Sequence, residues 1–434
     1  MKKIYYYLLL GALMLASQSC LHQEEDLFDK SPSERMQEAI TKYGDLLKAN
    51  TAGWVLEYYP EPNQSLGGYN YILQFDGSQV TASSEIAQIV FGEKAPADTT
   101  VVSLYEIIPS SGPVLTFDAY NALIHYFSDP SEDKYQADQG DYELIFMGTS
   151  EDESEIYLKG TRTGNKMTMR KLPNGETPAS YLAKVATIPE GLSKGLAFLI
   201  QAGGESVSCT LSDLHLSYQT VGEDEGIVTK TVAYCYTNEG ICLYEPITIG
   251  GVTAQRFVLG ADGLTSVAGD MKISFDYAPN RIFTSCMMSG ARSFLWNYSV
   301  AGGMFDMSAK AAEWVKAAYN GNLQTNGEAL IMTAFTNYVG NPSIRFYSTN
   351  GSSTWSAIWG VSIIAVEGTD NQVAFEPGLA PILNDSYYPD CLSMAESIVA
   401  EGIYIVEIDD PVAPTVIKFT SGQDPDIWFN VYLQ

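Results

Sequence analysis

The chain has 434 residues, which at roughly 100–200 residues per domain is enough for two or three domains with hydrophobic cores. Apolar residues make up 46% and the mean hydropathy is −0.04, which excludes a disordered chain and a protein with many membrane spans. The 52 acidic and 24 basic residues give a net charge of −28. Nucleic acid binding needs a basic surface, so we expect no nucleic-acid partner. The sequence has three histidines, and we predict no catalytic residue, metal site or cofactor from it.

The N-terminus has the layout of a secretory signal. Lys2 and Lys3 are followed by the apolar run Ile4–Ala16, which is too short to span a bilayer comfortably, and then by small polar residues and Cys20. We interpret residues 1–19 as a signal peptide. A cysteine at the cleavage point resembles the lipobox of bacterial lipoproteins, which implies acylation of Cys20 and a membrane partner held through acyl chains. The alternative is ordinary signal cleavage with an incidental cysteine.

Residues 20–27 form an acidic tether that contains Glu24, Glu25 and Asp26. An acidic cluster just after a lipidated cysteine resembles the surface-export signal of Bacteroidetes lipoproteins. We therefore expect an outer-membrane lipoprotein exposed at the cell surface, with a periplasm-facing protein as the alternative. Charge runs are also common in plain solvated tethers.

Residues 28–175 are predicted to form a helix packed on a curled or barrel-like antiparallel sheet. Ser31-Pro32-Ser33-Glu34 has the pattern of a capping box, and apolar residues recur at helical spacing from Met36 to Leu47. Short Val-, Ile- and Tyr-rich runs separated by turn residues then predict strands. A short helix is predicted at Leu123–Phe127. The predicted strands are Trp54–Tyr59, Tyr69–Phe75, Gln79–Ser84, Val101–Ile108, Val114–Phe117, Tyr142–Met147, Glu155–Lys159 and Lys166–Arg170.

The rest of the chain again alternates strands with a few helices. After a linker with a helical piece at Ala179–Ala186, residues 176–305 are predicted to be a β-rich domain. Residues 306–434 are predicted to be a β-rich unit with helices at Ser308–Tyr319 and Asp390–Ala400. The alternative is that this unit forms one domain with residues 176–305. The fold class is therefore α+β and predominantly antiparallel β.

Several short motifs resemble an uncharacterised lipoprotein family of gut Bacteroidetes that is described as a domain of unknown function. The resemblance covers the whole mature chain and is densest in residues 28–172. It implies a lipobox and an association with outer-membrane nutrient-uptake systems, and it brings no catalytic residues. The motifs are Phe28-Asp29-Lys30-Ser31-Pro32, Glu34-Arg35, Gly53-Trp54, Glu57-Tyr58-Tyr59-Pro60, Gly67-Gly68-Tyr69, Val80–Glu85, Gly112–Asp118, Phe127–Pro130, Gly140–Glu143 and Ile427-Trp428-Phe429.

Two local patterns have a chemical interpretation. Gly191–Gly195 matches G-x-S-x-G, but the parallel strand and helix that a nucleophile elbow requires are not predicted around it, so we interpret it as a turn. Cys235 and Cys242 flank a predicted hairpin tip and are a candidate disulfide. Free buried thiols are the equally supported alternative.

The aromatic content, with 28 Tyr, 17 Phe and 6 Trp, is the strongest functional indication. Sugars stack on aromatic rings, while acids and amides bind their hydroxyls. Trp355 lies in the polar stretch Asn350–Ser356 and is our first candidate for a ligand contact on a loop. Trp359 and Trp296 are the further candidates.

Three functions follow as hypotheses. The first is a non-enzymatic surface protein that binds a glycan or peptide ligand for an outer-membrane uptake complex. The second is a structural or adhesive lipoprotein that acts through protein–protein contacts and has an apolar surface patch. The third is a hydrolase that uses two carboxylates in a cleft.

Overall fold

The computed structural model describes residues 30–434 except 133, 136, 222–226, 291 and 379–382. The predicted signal peptide, Cys20 and the acidic tether lie outside the described residues. The described chain contains six α-helices and 27 strands, and its strand pairs are antiparallel, which confirms the predicted fold class. Among these helices none is both long enough and apolar enough to cross a bilayer.

The first helix, α1 (Pro32–Ala49), begins with the predicted capping box. Ser31 Oγ accepts a hydrogen bond from the Glu34 N–H, and the Glu34 carboxylate accepts one from the Ser31 N–H. Two otherwise unpaired N–H groups are thereby satisfied. The apolar side of α1 packs on the first sheet, where Tyr43 stacks on Phe146 with ring centroids 4.1 Å apart.

The first sheet has nine strands, and the short helix α2 (Ala87–Phe91) follows its third strand in the chain. The strands are β1 (Trp54–Tyr58), β2 (Tyr69–Phe75), β3 (Gln79–Ser84), β4 (Thr100–Leu104), β5 (Glu106–Pro109), β6 (Pro113–Thr116), β7 (Glu143–Thr149), β8 (Glu155–Gly160) and β9 (Lys166–Lys171). Their order is β4-β3-β2-β1-β9-β8-β7-β6-β5, so the two edge strands are consecutive in the chain. The sheet is therefore nearly closed, and α1 packs against β2, β5 and β6.

The predicted strand Val101–Ile108 is in fact two strands. The strand is interrupted at Tyr105. The Tyr105 N–H donates to the Ser78 carbonyl, and the Tyr105 ring packs edge-on against Phe75. This anchoring separates β4 from β5, and the two strands lie at opposite edges of the sheet.

The predicted helix Leu123–Phe127 was also wrong. The segment consists of turns that end in a 3₁₀ turn, Tyr126–Ser128. The Asn121 side-chain oxygen accepts hydrogen bonds from the N–H groups of Leu123 and Ile124. Such a local side-chain bond competes with the backbone bonds of a helix, which explains why the apolar spacing did not produce one.

A closed eight-stranded barrel follows the helix α3 (Pro178–Leu192), which is longer than the predicted helical piece. Thr177 caps α3 and Pro178 lies in its first turn. The barrel strands are β10 (Phe198–Ala202), β11 (Glu205–Ser212), β12 (His215–Val221), β13 (Ile227–Tyr236), β14 (Gly240–Ile249), β15 (Val252–Gly260), β16 (Gly263–Ser266) and β17 (Met271–Phe275).

The helix α4 (Pro279–Ser289) was not predicted. Its N-cap residue is Ala278, which makes no side-chain cap, so the polar start signal that marked α1 is missing. The buried side chains of Ile282 and Phe283 pack into the core of the second barrel.

The second barrel is also closed and has eight strands, with a two-stranded ribbon beside it. Its helices are α5 (Ala309–Asn326), capped by Ser308 as predicted, and α6 (Pro389–Ala400). In chain order, with the ribbon strands β19 and β20, the strands are β18 (Phe294–Trp296), β19 (Tyr298–Ser299), β20 (Met304–Phe305), β21 (Ala329–Tyr338), β22 (Asn341–Thr349), β23 (Thr354–Ala365), β24 (Gln372–Pro377), β25 (Ile403–Ile408), β26 (Val416–Ser421) and β27 (Trp428–Leu433).

Candidate functional site

Trp296 lies in the core of the second barrel. Its side chain is 3% exposed and its ring stacks on Phe429 with centroids 4.0 Å apart. No ring face is open to a ligand, so the structure contradicts Trp296 as a ligand contact. The apolar inward face of β18 explains this burial, since Phe294 on the same face is also buried.

Trp355 and Trp359 lie on β23, so the prediction that Trp355 belongs to a loop was wrong. Trp359 is half-buried and packs against the core of the second barrel. Trp355 is 39% exposed near the start of the strand, directly opposite Ser348 on β22. Trp355 therefore keeps an accessible indole, and Trp359 serves mainly in packing.

Ser348, the cross-strand partner of Trp355, is hydrogen-bonded to a buried carboxylate. Glu328 Oε2 accepts hydrogen bonds from Ser348 Oγ at 2.7 Å and from the Tyr388 hydroxyl at 2.8 Å. The neighbouring Tyr387 is 63% exposed, and its ring centroid is 5.6 Å from that of Tyr388. We call Glu328, Ser348, Trp355, Tyr387 and Tyr388 the barrel-end group.

Cys235 and Cys242 are directly opposite each other on β13 and β14, and both are buried free thiols. The candidate disulfide is thus not formed in the structure. Hydrogen bonding with Cys242 and burial raise the pKa of the Cys235 thiol, so little thiolate is available for oxidation. Tyr59 covers the pair, donating its hydroxyl to the Cys242 carbonyl at 3.3 Å.

The G-x-S-x-G pattern forms no catalytic triad. Ser193 is the C-cap of α3, and its hydroxyl donates to the Glu190 carbonyl at 2.8 Å. The His215 ring is hydrogen-bonded to the carbonyls of Asp213 and Gln64. Serine and histidine therefore serve separate structural roles.

An exposed aromatic cluster lies on the first sheet, in the loop between β6 and β7. The His125 ring contacts two tyrosines: its centroid is 5.3 Å from that of Tyr120 and 5.0 Å from that of Tyr142. Tyr120 is 66% exposed and Tyr142 is 39% exposed, whereas His125 is buried. We call Tyr120, His125 and Tyr142 the aromatic cluster. It offers two accessible phenol rings on a buried support.

A buried asparagine holds the aromatic cluster in place. The Asn121 amide nitrogen donates to the Val101 carbonyl at 3.3 Å and to Ser103 Oγ at 3.1 Å, both on the edge strand β4. His125 Nδ1 lies 3.2 Å from the Asn121 backbone nitrogen. The loop is therefore fixed to the sheet, and its rings are arranged before any ligand arrives.

A carboxylate completes this site. The Tyr120 hydroxyl donates to Asp129 Oδ2 at 2.7 Å. This hydrogen bond, followed by desolvation, raises the pKa of Tyr120, so the phenol stays protonated at neutral pH. Asp129 thus provides hydrogen-bond acceptors at the edge of an exposed ring.

An interior cavity of the first sheet is too small for a ligand. Its volume is about 10 Å³, close to that of one water molecule. Tyr58, Phe117 and Asp141 are among its lining residues. This cavity therefore does not serve as a binding site for a sugar or peptide.

The first sheet and the first barrel meet at a buried charged group. Glu57 is 5% exposed and forms ion pairs with Arg170 and Arg256. Arg170 also pairs with Glu155, so two guanidinium groups and two carboxylates form one network at the contact between the first sheet and the first barrel. Among the residues that the structure describes, no group of three or more histidine, cysteine or acidic side chains could hold a metal ion.

The sequence interpretation did not identify the aromatic cluster. Tyr142 is part of the motif Gly140–Glu143, and Tyr120 and His125 lie between the motifs Gly112–Asp118 and Phe127–Pro130, all of which carried the family resemblance. That proximity was an available signal. Tyr120 and Tyr142 both contact His125 because of the path that a long loop takes. Local sequence patterns do not predict such a path.

Comparisons with known proteins identify a family and no function. A family model described as "Domain of unknown function (DUF4302)" matches residues 24–261. No curated protein matches the chain. The chain is similar to DNA polymerase III subunit beta from Borrelia burgdorferi in complex with a natural product, at 9% identity over 93% of this chain and 97% of that chain, with a TM-score of 0.12. It is also similar to a DNA polymerase sliding clamp from Pseudomonas aeruginosa, at 11% identity over 92% and 98%, with a TM-score of 0.13. Structural similarity at such TM-scores does not indicate a function for this chain.

Proposed function

The chain belongs to the family described as Domain of unknown function (DUF4302), and from that premise we propose that it is a cell-surface protein that binds glycans through the aromatic cluster. The single observation that carries this proposal is the pair of exposed phenol rings, Tyr120 and Tyr142, held on buried His125. The cluster lies within the residues that the family model matches.

The chemistry of the cluster suits a sugar. A pyranose presents a flat C–H face that packs on an aromatic ring, and its hydroxyls need acceptors at the ring edge. Tyr120 supplies the ring and Asp129 supplies the acceptors. Two exposed rings in one cluster can contact neighbouring sugars of a chain.

The N-terminal pattern supports a lipid anchor at Cys20 in the outer membrane, facing outwards. A protein held there could deliver glycans to an uptake complex in the same membrane. With a net charge of −28, the protein gains no attraction to an anionic lipid surface, so acyl chains have to hold it. Labelling with radioactive palmitate, compared between the native chain and Cys20→Ser, tests the anchor, and protease treatment of whole cells tests the orientation.

The binding proposal is tested with Tyr120→Ala and Tyr142→Ala on a broad glycan array. Each variant removes one exposed ring, so we expect binding to weaken roughly fivefold, a loss of about 1 kcal/mol. Tyr157→Ala is the matched control, because Tyr157 is a 41% exposed tyrosine on β8 outside the cluster.

The outcome separates this function from the others. If the native protein binds no glycan, or if Tyr157→Ala weakens binding as much as Tyr120→Ala, the proposal fails. A role in protein contacts would then be favoured, since the edge strand β4 exposes Val102 and Leu104 at 54% and 55%.

A further inference from the structure

We infer that the barrel-end group is a second binding site, specific for an organic cation such as the ammonium or guanidinium of a basic side chain. It lies on the second barrel, outside the residues that the family model matches. The inference does not depend on glycan binding at the aromatic cluster.

The first argument is an uncompensated charge. Glu328 is 7% exposed, and among the described residues it takes part in no ion pair. Both of its hydrogen-bond donors, Ser348 and Tyr388, bind the same oxygen, Oε2. Buried carboxylates are normally paired, so this one has capacity for a positively charged ligand.

The second argument is the aromatic surround. Trp355 is the cross-strand partner of Ser348, and directly paired residues of an antiparallel sheet project from the same face. The indole therefore projects from the same face as the serine that is hydrogen-bonded to Glu328. Tyr387 and Tyr388 lie on the segment that leads into α6. Cations bind over the faces of Trp and Tyr rings, and Trp is the strongest of these. A carboxylate among such rings selects a cation over a neutral sugar.

The third argument is that the site is rigid and electronegative. The Asn322 amide on α5 donates to the Glu328 carbonyl at 2.8 Å, and the Asn326 amide donates to the Tyr387 carbonyl at 2.7 Å. Burial, and then the charges of Asp390 and Glu328, raise the pKa of the Cys391 thiol to about 12, so this thiol stays protonated and adds no negative charge of its own. A hard metal ion would need more oxygen ligands than this group provides.

The test is a titration of the full-length mature protein with Nα-acetyl-L-lysine amide, followed by calorimetry. The neutral probe Nα-acetyl-L-norleucine amide has the same backbone and a similar apolar chain. We expect the lysine probe to bind about tenfold more tightly than the norleucine probe, because only the lysine probe can pair with Glu328. Glu328→Gln should remove that preference, and Trp355→Ala should weaken lysine binding about fivefold.

The controls keep the result independent of folding. Glu401→Gln is the matched variant, because Glu401 in the same barrel also accepts a serine hydrogen bond, from Ser421 at 2.6 Å. Tyr387→Ala removes a 63% exposed ring and should weaken binding without loss of thermal stability. The inference is overturned if the lysine probe does not bind, if both probes bind equally, or if Glu328→Gln leaves the preference intact. Tyr120→Ala should not change this titration, so failure here is distinct from failure of glycan binding.

Discussion

Glu85 is a half-buried acid at the contact between the first sheet and the first barrel. Its Oε1 accepts hydrogen bonds from the Asn70 N–H and side-chain amide, and that amide also donates to the Tyr236 carbonyl of the first barrel. Burial raises the pKa of Glu85 from 4.5 to about 7, although the bonds from Asn70 lower it. The carboxyl is therefore partly protonated at neutral pH.

This raised pKa predicts a loss of stability as the pH increases. Between about pH 4.5 and pH 7 the unfolded chain releases the Glu85 proton while the folded chain keeps it, so folding is favoured at the acidic end. We expect Glu85 alone to lower the free energy of unfolding by about 2 kcal/mol over this range. Glu85→Gln should remove that slope and raise stability at pH 8. Urea unfolding of both proteins from pH 4.5 to pH 8 measures it, and parallel pH profiles would contradict the prediction.

At the scale of the element, local signals in the sequence were sufficient where the cause of the structure is local. The capping box of Ser31 and Glu34 correctly gave the start of α1. The helix α4 was missed because Ala278 provides no cap, and the break at Tyr105 depends on Ser78 and on Phe75. The aromatic cluster depends on Asn121 reaching β4. These contacts join residues far apart in the chain, which spacing and composition do not encode.

Two hairpin turns of the first barrel contact each other through glycines. The effect of an alanine substitution on stability can be compared at two neighbouring positions in one of these turns. Gly203 and Gly204 both have positive φ, 57° and 86°, in the turn between β10 and β11. A Cβ on Gly203 would lie 2.0 Å from the Gly250 carbonyl oxygen, whereas a Cβ on Gly204 would meet no heavy atom within 4 Å. The two positions therefore share backbone strain and differ in space.

We expect Gly204→Ala to lower the free energy of unfolding by about 1 kcal/mol, because alanine is strained in the left-handed backbone conformation. Gly203→Ala should cost about 2 to 4 kcal/mol, because the methyl group also forces the turns between β10 and β11 and between β14 and β15 apart. Chemical denaturation of the two variants measures the difference. Equal losses of stability would show that the turn relaxes away from Gly250.

At the scale of the whole molecule, the first sheet and the first barrel are joined by direct contacts. The Gly68 N–H donates to the Tyr234 carbonyl, and Glu57 pairs with Arg256 across the same contact. The family match nevertheless ends at residue 261, before β16 and β17. Since β17 pairs with β10, the first barrel closes only when residues beyond the match are present.

This closure predicts the shortest N-terminal fragment that folds. Fragment 30–261 lacks β16 and β17, so it leaves β10 and β15 with unpaired edges and opens the apolar interior around Ile200 and Phe257. Fragment 30–277 keeps both strands and the closed barrel. We expect the longer fragment to unfold in one cooperative thermal transition and to bind little of the hydrophobic dye ANS, and the shorter one to aggregate or bind ANS strongly. Equal melting temperatures and equal dye binding would mean that β16 and β17 are dispensable, and that the family match marks a self-sufficient unit.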